Sequence, residues 1–87
     1  MFTQSDLDIA SESVEQCRRL VERQHEIVEL LAGNSDFQAL AREVLAELEA
    51  TLERRRRYRD GIQTLLEAES AMSDAASPRS IASRQLS

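Results

Sequence analysis

Gly33-Asn34-Ser35-Asp36 lies between two long amphipathic segments and is the strongest chain-reversal signal in the sequence. Glycine is favoured just past a helix end because it enters the left-handed backbone region without steric cost. Ser35 followed by Gln38 has the spacing of a capping box. In that motif the hydroxyl accepts the Gln38 backbone N–H and the Gln38 side chain reaches back to the Ser35 N–H. One helix stops and another starts within a few residues. The expectation is an all-α fold, an antiparallel two-helix hairpin with helix 1 over about 5–32, a turn over 33–36 and helix 2 over about 36–69.

Upstream of the turn, apolar residues recur at Ile9, Ala10, Val14, Cys17, Leu20, Val21, Ile27, Val28 and Leu31. At ~100° per residue they fall on one helical stripe, which also holds Ser13 and Gln24. Ser5 with Asp8 has the form of a helix cap, and residues 1–4 read as a frayed lead-in. Downstream, the stripe is Phe37, Ala41, Val44, Leu45, Leu48, Leu52, Ile62 and Leu66, with Leu40, Thr51, Tyr58 and Leu65 at one margin. A single Gly61 inside it costs about 1 kcal/mol, so helix 2 passes through with a bend as its expected effect. Both helices come to roughly 40–50 Å at 1.5 Å per residue. The stripes are wider than a two-in-seven seam, which favours a bundle over a thin two-stranded coil. From Ser70 the composition shifts to serine and alanine, so 70–87 reads as a tail, flexible or with a short helix after Ser77-Pro78.

Totals narrow the class. The 87 residues allow one small domain, with 41% hydrophobic and 3% aromatic content. Two helices alone bury little of each other, and the single cysteine provides neither an internal disulfide nor a cysteine-rich zinc site. Self-association is the remaining source of stability. The expectation is a homodimer of hairpins forming a four-helix bundle, with Leu20, Gln24, Val28, Leu31, Leu45, Leu48 and Leu52 at the interface. Net charge is −5, from 16 acidic residues and 11 arginines without lysine, which argues against general nucleic-acid or anionic-membrane affinity. No apolar run nears the ~20 residues of a membrane span, and residues 1–10 lack a secretory pattern, so a soluble cytoplasmic protein is expected.

Few residues invite chemistry. Arg55 and Arg59 interrupt the helix 2 stripe, with Tyr58 at its margin. One reading pairs these arginines with Asp6, Asp8, Glu12 and Glu15 of helix 1, or with a second subunit's carboxylates. The other makes Arg55, Tyr58 and Arg59 an anion or nucleic-acid site within the basic run 54–59. Glu22 and His25 have the Glu-x-x-His spacing of di-iron bundles, yet Glu22 points away from the stripe. Cys17 lies in the stripe, where cysteine behaves as a small hydrophobe, and it pairs between subunits only if two copies meet near a symmetry axis. Gln24, a lone polar residue in the seam, suits a register role. No phosphate loop, nucleophile set or inward metal spacing is present, so the reading is non-enzymatic and without a cofactor.

The run Val21-x-x-Gln24-x-x-x-Val28-x-x-Leu31, Gly33, Ala41-Arg42-Glu43-Val44-Leu45-x-x-Leu48-x-x-Thr51-Leu52 and Arg59-Asp60-x-Ile62 resembles a group of small, uncharacterised bacterial helical-hairpin proteins. The turn here is slightly longer, and Arg55 and Tyr58 stand where that group often has histidine. The resemblance implies a two-helix hairpin and no particular activity. The function expected from the residues is protein–protein interaction or oligomeric scaffolding, with regulation and a further protein partner as extensions of it, and the Arg54 to Arg59 binding module as the competing reading.

Overall fold

A computed structural model describes residues 1–76, with side chains described as far as Met72. Helix α1 spans Gln4–Leu30 and helix α2 spans Ser35–Ala76. They pack against each other as a hairpin, α2 running on past the start of α1, within overall extents of 75 × 17 × 17 Å. Among the described residues there is no strand. No helix there is long and apolar enough to cross a membrane. The tail residues 77–87, with the short helix expected after Pro78, lie outside the described residues.

Both helix starts differ in detail from the sequence expectation. Thr3 caps α1 rather than Ser5. Its Oγ1 accepts the Asp6 backbone N–H at 3.3 Å, and the Asp6 carboxylate accepts the Thr3 N–H at 2.8 Å. Residues 1–3 are therefore tied to the helix by a reciprocal box, and Phe2 stacks edge-on against Tyr58 at 6.1 Å. At α2 the cap is Asn34, whose Oδ1 accepts the Phe37 N–H at 3.2 Å. The expected Ser35–Gln38 box does not form, because the Gln38 amide donates instead to the Val28 carbonyl at 3.0 Å.

The reversal is tighter than the Gly33 reading implied. Helix α1 stops at Leu30 rather than near residue 32, and Leu31 has φ −93° and ψ 14°. The Asn34 N–H donates to the Leu31 carbonyl at 2.9 Å, closing a short-ranged turn. Neither glycine has a positive φ, so Gly33 is not used for its left-handed freedom. Helix α2 runs unbroken through Gly61 and continues seven residues beyond the expected end near 69. Alanine, methionine and serine tolerate helix, and the first helix-disfavouring signal in that stretch is Pro78, which acts on Ser77.

The packing seam is narrower than the stripe predicted. Buried and half-buried positions follow an alternating three-four step along α1, at Leu7, Ala10, Val14, Cys17, Val21, Gln24, Val28 and Leu31. The same step runs along α2 from Gln38 and Ala41 through Leu45, Leu48, Leu52, Arg55, Arg59 and Ile62 to Leu66 and Glu69. That is the two-in-seven seam of an antiparallel coiled coil. Ile9, Leu20, Phe37 and Val44, read as stripe residues, are exposed. Among described residues the fully buried apolar set is Ala10, Val14, Cys17, Ala41, Leu52 and Ile62, two of them alanine. A branched side chain such as Leu52 or Ile62 contributes about 1.5–3 kcal/mol on burial, and alanine much less.

Four side chains cross this seam to main-chain carbonyls of the opposite helix. Gln38 reaches Val28 at 3.0 Å, Gln24 reaches Ala41 at 2.9 Å, the Cys17 thiol reaches Leu48 at 3.7 Å and Arg55 reaches Ser13 at 3.2 Å. Each uses the second lone pair of a carbonyl already engaged in its own helix. A typical bond of this kind nets about 1 kcal/mol. Together they mark a single register from the turn to the open end.

Candidate functional site

The seam positions set the two flanks of the hairpin. Residues one heptad apart stay on one side of a coiled coil. On one flank lie Gln4, Arg18, Glu22, Arg42, Glu49 and Gln63, all polar. Arg18 grips the Glu15 carboxylate with two nitrogens, at 2.6 and 3.0 Å, and also bonds Glu22. The hydrogen bond from Arg18 holds the Glu15 carboxyl below its ordinary value, and the arginine is raised in return by the same contact.

The opposite flank holds most of the exposed large apolar side chains, with polar residues between them. Its apolar residues on α1 are Phe2, Ile9, Leu20 and Ile27, and on α2 they are Phe37, Leu40, Val44, Tyr58 and Leu65. Leu20 is 50% exposed, Phe37 59%, Leu40 57% and Leu65 53%. Isolated exposed leucines need no explanation, but several on one face do.

Toward the open end this flank holds a cleft of roughly 370 Å³. Asp6, Ile9 and Ser13 line it from α1, and Thr51, Arg54, Arg55 and Tyr58 from α2. Arg54 donates to the Thr51 hydroxyl at 3.1 Å, and that hydroxyl donates to the Glu47 carbonyl at 3.0 Å. Among the described residues neither Arg54 nor Arg55 pairs with a carboxylate. The expected ion pairs from Arg55 and Arg59 to the acidic start of helix 1 do not form there. Asp6 is occupied by Thr3, Arg59 pairs with Asp60 at 2.9 Å, and Arg57 pairs with Glu53 at 3.2 Å.

The cleft thus gathers two of the three residues marked for anion binding, Arg55 and Tyr58, and leaves Arg59 outside. It adds Arg54, which belongs to the basic run 54–59 but lies off the apolar stripe. Of the seven residues read as a subunit interface, Gln24, Val28, Leu31, Leu45, Leu48 and Leu52 lie in the seam of a single hairpin. Leu20 stands off it on the apolar flank.

The remaining candidates are placed plainly. Cys17 is 1% exposed within its own hairpin, which keeps its thiol from a disulfide with another copy. Glu22 bonds Arg18, and His25 is exposed. Among the described residues no group of three or more metal-ligating side chains comes together. No protein-family model matches the sequence, and neither a curated protein nor a solved structure matches it.

Proposed function

We propose that the chain is a non-enzymatic self-association module, in which the apolar flank of one hairpin packs on that of a second to make a four-helix bundle. What supports this reading is the flank itself, with exposed large apolar side chains at Phe37, Leu40 and Val44 and again at Tyr58 and Leu65, beside Ile9 and Leu20. Soluble monomers rarely leave so many large apolar side chains on one face open to water. The face has its polar counterpart on the other side, so a dimer would present charge outward all round. The resemblance to bacterial helical-hairpin proteins fits this architecture and brings no activity with it. Scaffolding or regulation of a further protein partner would follow from the assembled bundle.

Sedimentation equilibrium tests the reading. The native chain should sediment as a dimer at micromolar concentration, and Val44→Glu should sediment as a monomer that keeps its helical circular dichroism. A folded native monomer under those conditions overturns the proposal.

A second reading rests on Arg54 and Arg55, which meet no carboxylate in the cleft beside Tyr58. Guanidinium groups next to an aromatic face suit phosphate and base stacking. The acidic total opposes it. Fluorescence anisotropy with single-stranded nucleic acid at two salt concentrations decides, since phosphate-driven binding weakens steeply with salt.

A further inference from the structure

The apolar flank is not only greasy; it is self-complementary about one line, and this inference rests on the self-association reading above. Gln24 meets Ala41 and Cys17 meets Leu48 across the seam, so Val14 stands level with Thr51. We infer that a second copy docks antiparallel on this flank about a two-fold axis crossing α2 at Thr51 and α1 just past Val14, and that the partner's Glu47 enters the cleft to pair with Arg54.

Residues equidistant from that line match in kind. On α2, Phe37 falls opposite the partner's Leu65, and Val44 opposite the partner's Tyr58. Leu40 falls within one residue of the partner's Gly61, where an added Cβ would meet nothing and a large side chain has room. Glu47 and Arg54 are the charged residues of this flank on α2, four residues before the axis and three after it, an offset of about 1.5 Å that their long side chains span. The two-fold therefore brings each against its opposite twice. Glu47 makes no ion pair within its own hairpin among the described residues, and neither does Arg54.

Helix α1 repeats the pattern independently. Ile9 falls opposite the partner's Leu20, and Asp6 opposite the partner's Arg23. Both helices thus give apolar on apolar and acid on base about the same level, which an isologous interface requires. A parallel arrangement, with both turns at one end, has no such matching of Glu47 to Arg54. The face from Phe37 to Leu65 is about 42 Å long at 1.5 Å per residue. With a width of 17 Å it would hide about 700 Å² per copy, near what specific interfaces bury.

Reciprocal charge reversal tests the pairing. Glu47→Arg places arginine against arginine at both contacts of the dimer, and Arg54→Glu places glutamate against glutamate. Each variant alone should raise the dimer dissociation constant by roughly tenfold or more while keeping its helical circular dichroism. Mixed together, the two variants regain both pairs, so the mixture should dimerise near the native strength. If the native chain dimerises and either variant dimerises equally well, or the mixture fails to recover, the axis is wrong although self-association stands. Should the native chain be a monomer, both proposals fall together.

Discussion

Gln24 sits in a seam otherwise built from apolar side chains, and its amide spends one proton on the Ala41 carbonyl. A polar residue there carries a cost in burial and a gain in alignment. Replacing it with leucine keeps the volume and removes the bond, so the two effects separate. Gln24→Leu should leave the denaturation midpoint unchanged or raise it, since swapping a bonded pair for apolar contact is nearly neutral. Its partner carbonyl retains its own helical bond. Alignment should loosen instead, seen as broader exchange of amide protons along the seam.

Glu15 supplies a second residue-scale expectation. Its carboxyl is depressed in the folded chain by Arg18, so the contact stabilises above the ordinary carboxylate value near 4.5 and is lost as pH falls through the lower folded value. The pair is exposed and screened, so the effect is small. Thermal melts of the native chain and Arg18→Met should differ at neutral pH and converge in acid. The spacing of Glu15 to Arg18 and Arg19, three and four residues on, already marks a helical ion pair in the sequence, although Glu15 was also a candidate partner for arginines across the hairpin.

For the elements, the number, order and approximate ends of the helices were legible from periodicity and from the turn signal at residues 33–36. What was not legible is which of several competent caps is used. Thr3 and Ser5 compete at one end, Asn34 and Ser35 at the other, and neighbouring hydroxyls and amides differ little in capping strength. The structure makes the choice testable. Asn34→Ala should destabilise by about 1 kcal/mol, and Ser35→Ala by much less, in chemical denaturation. Gly61 is helical with open space around its missing Cβ. In the isolated hairpin, Gly61→Ala should therefore stabilise by about 1 kcal/mol.

The length of α2 and the identity of the cleft residues were hidden for different reasons. Composition marks a serine-rich stretch as tail-like, yet nothing in it breaks a helix before Pro78. Arg54 gave no separate signal because it lies about 100° from Arg55, off the apolar stripe, where an arginine is ordinarily solvated.

Across the whole molecule, a rod 17 Å thick has little interior. Its fully buried apolar residues are few, and most of its large side chains lie half-buried or on the flank. If the flank is covered by a second copy, stability must depend on protein concentration, because mass action favours the associated folded state. Unfolding midpoints should rise steadily over a hundredfold increase in chain concentration in the native protein. In Val44→Glu they should stay constant.

The four bonds that cross the hairpin all end on main-chain oxygen, at Val28, Ala41, Leu48 and Ser13. No substitution at those four acceptors deletes the oxygen, whatever side chain is installed. The information that aligns the rods is therefore written asymmetrically, in Gln38, Gln24, Cys17 and Arg55 and not in the residues they touch. Drift at the acceptors leaves the oxygen in place so long as the seam packing at Val28, Ala41 and Leu48 is kept, whereas drift at the donors erases the match one rung at a time.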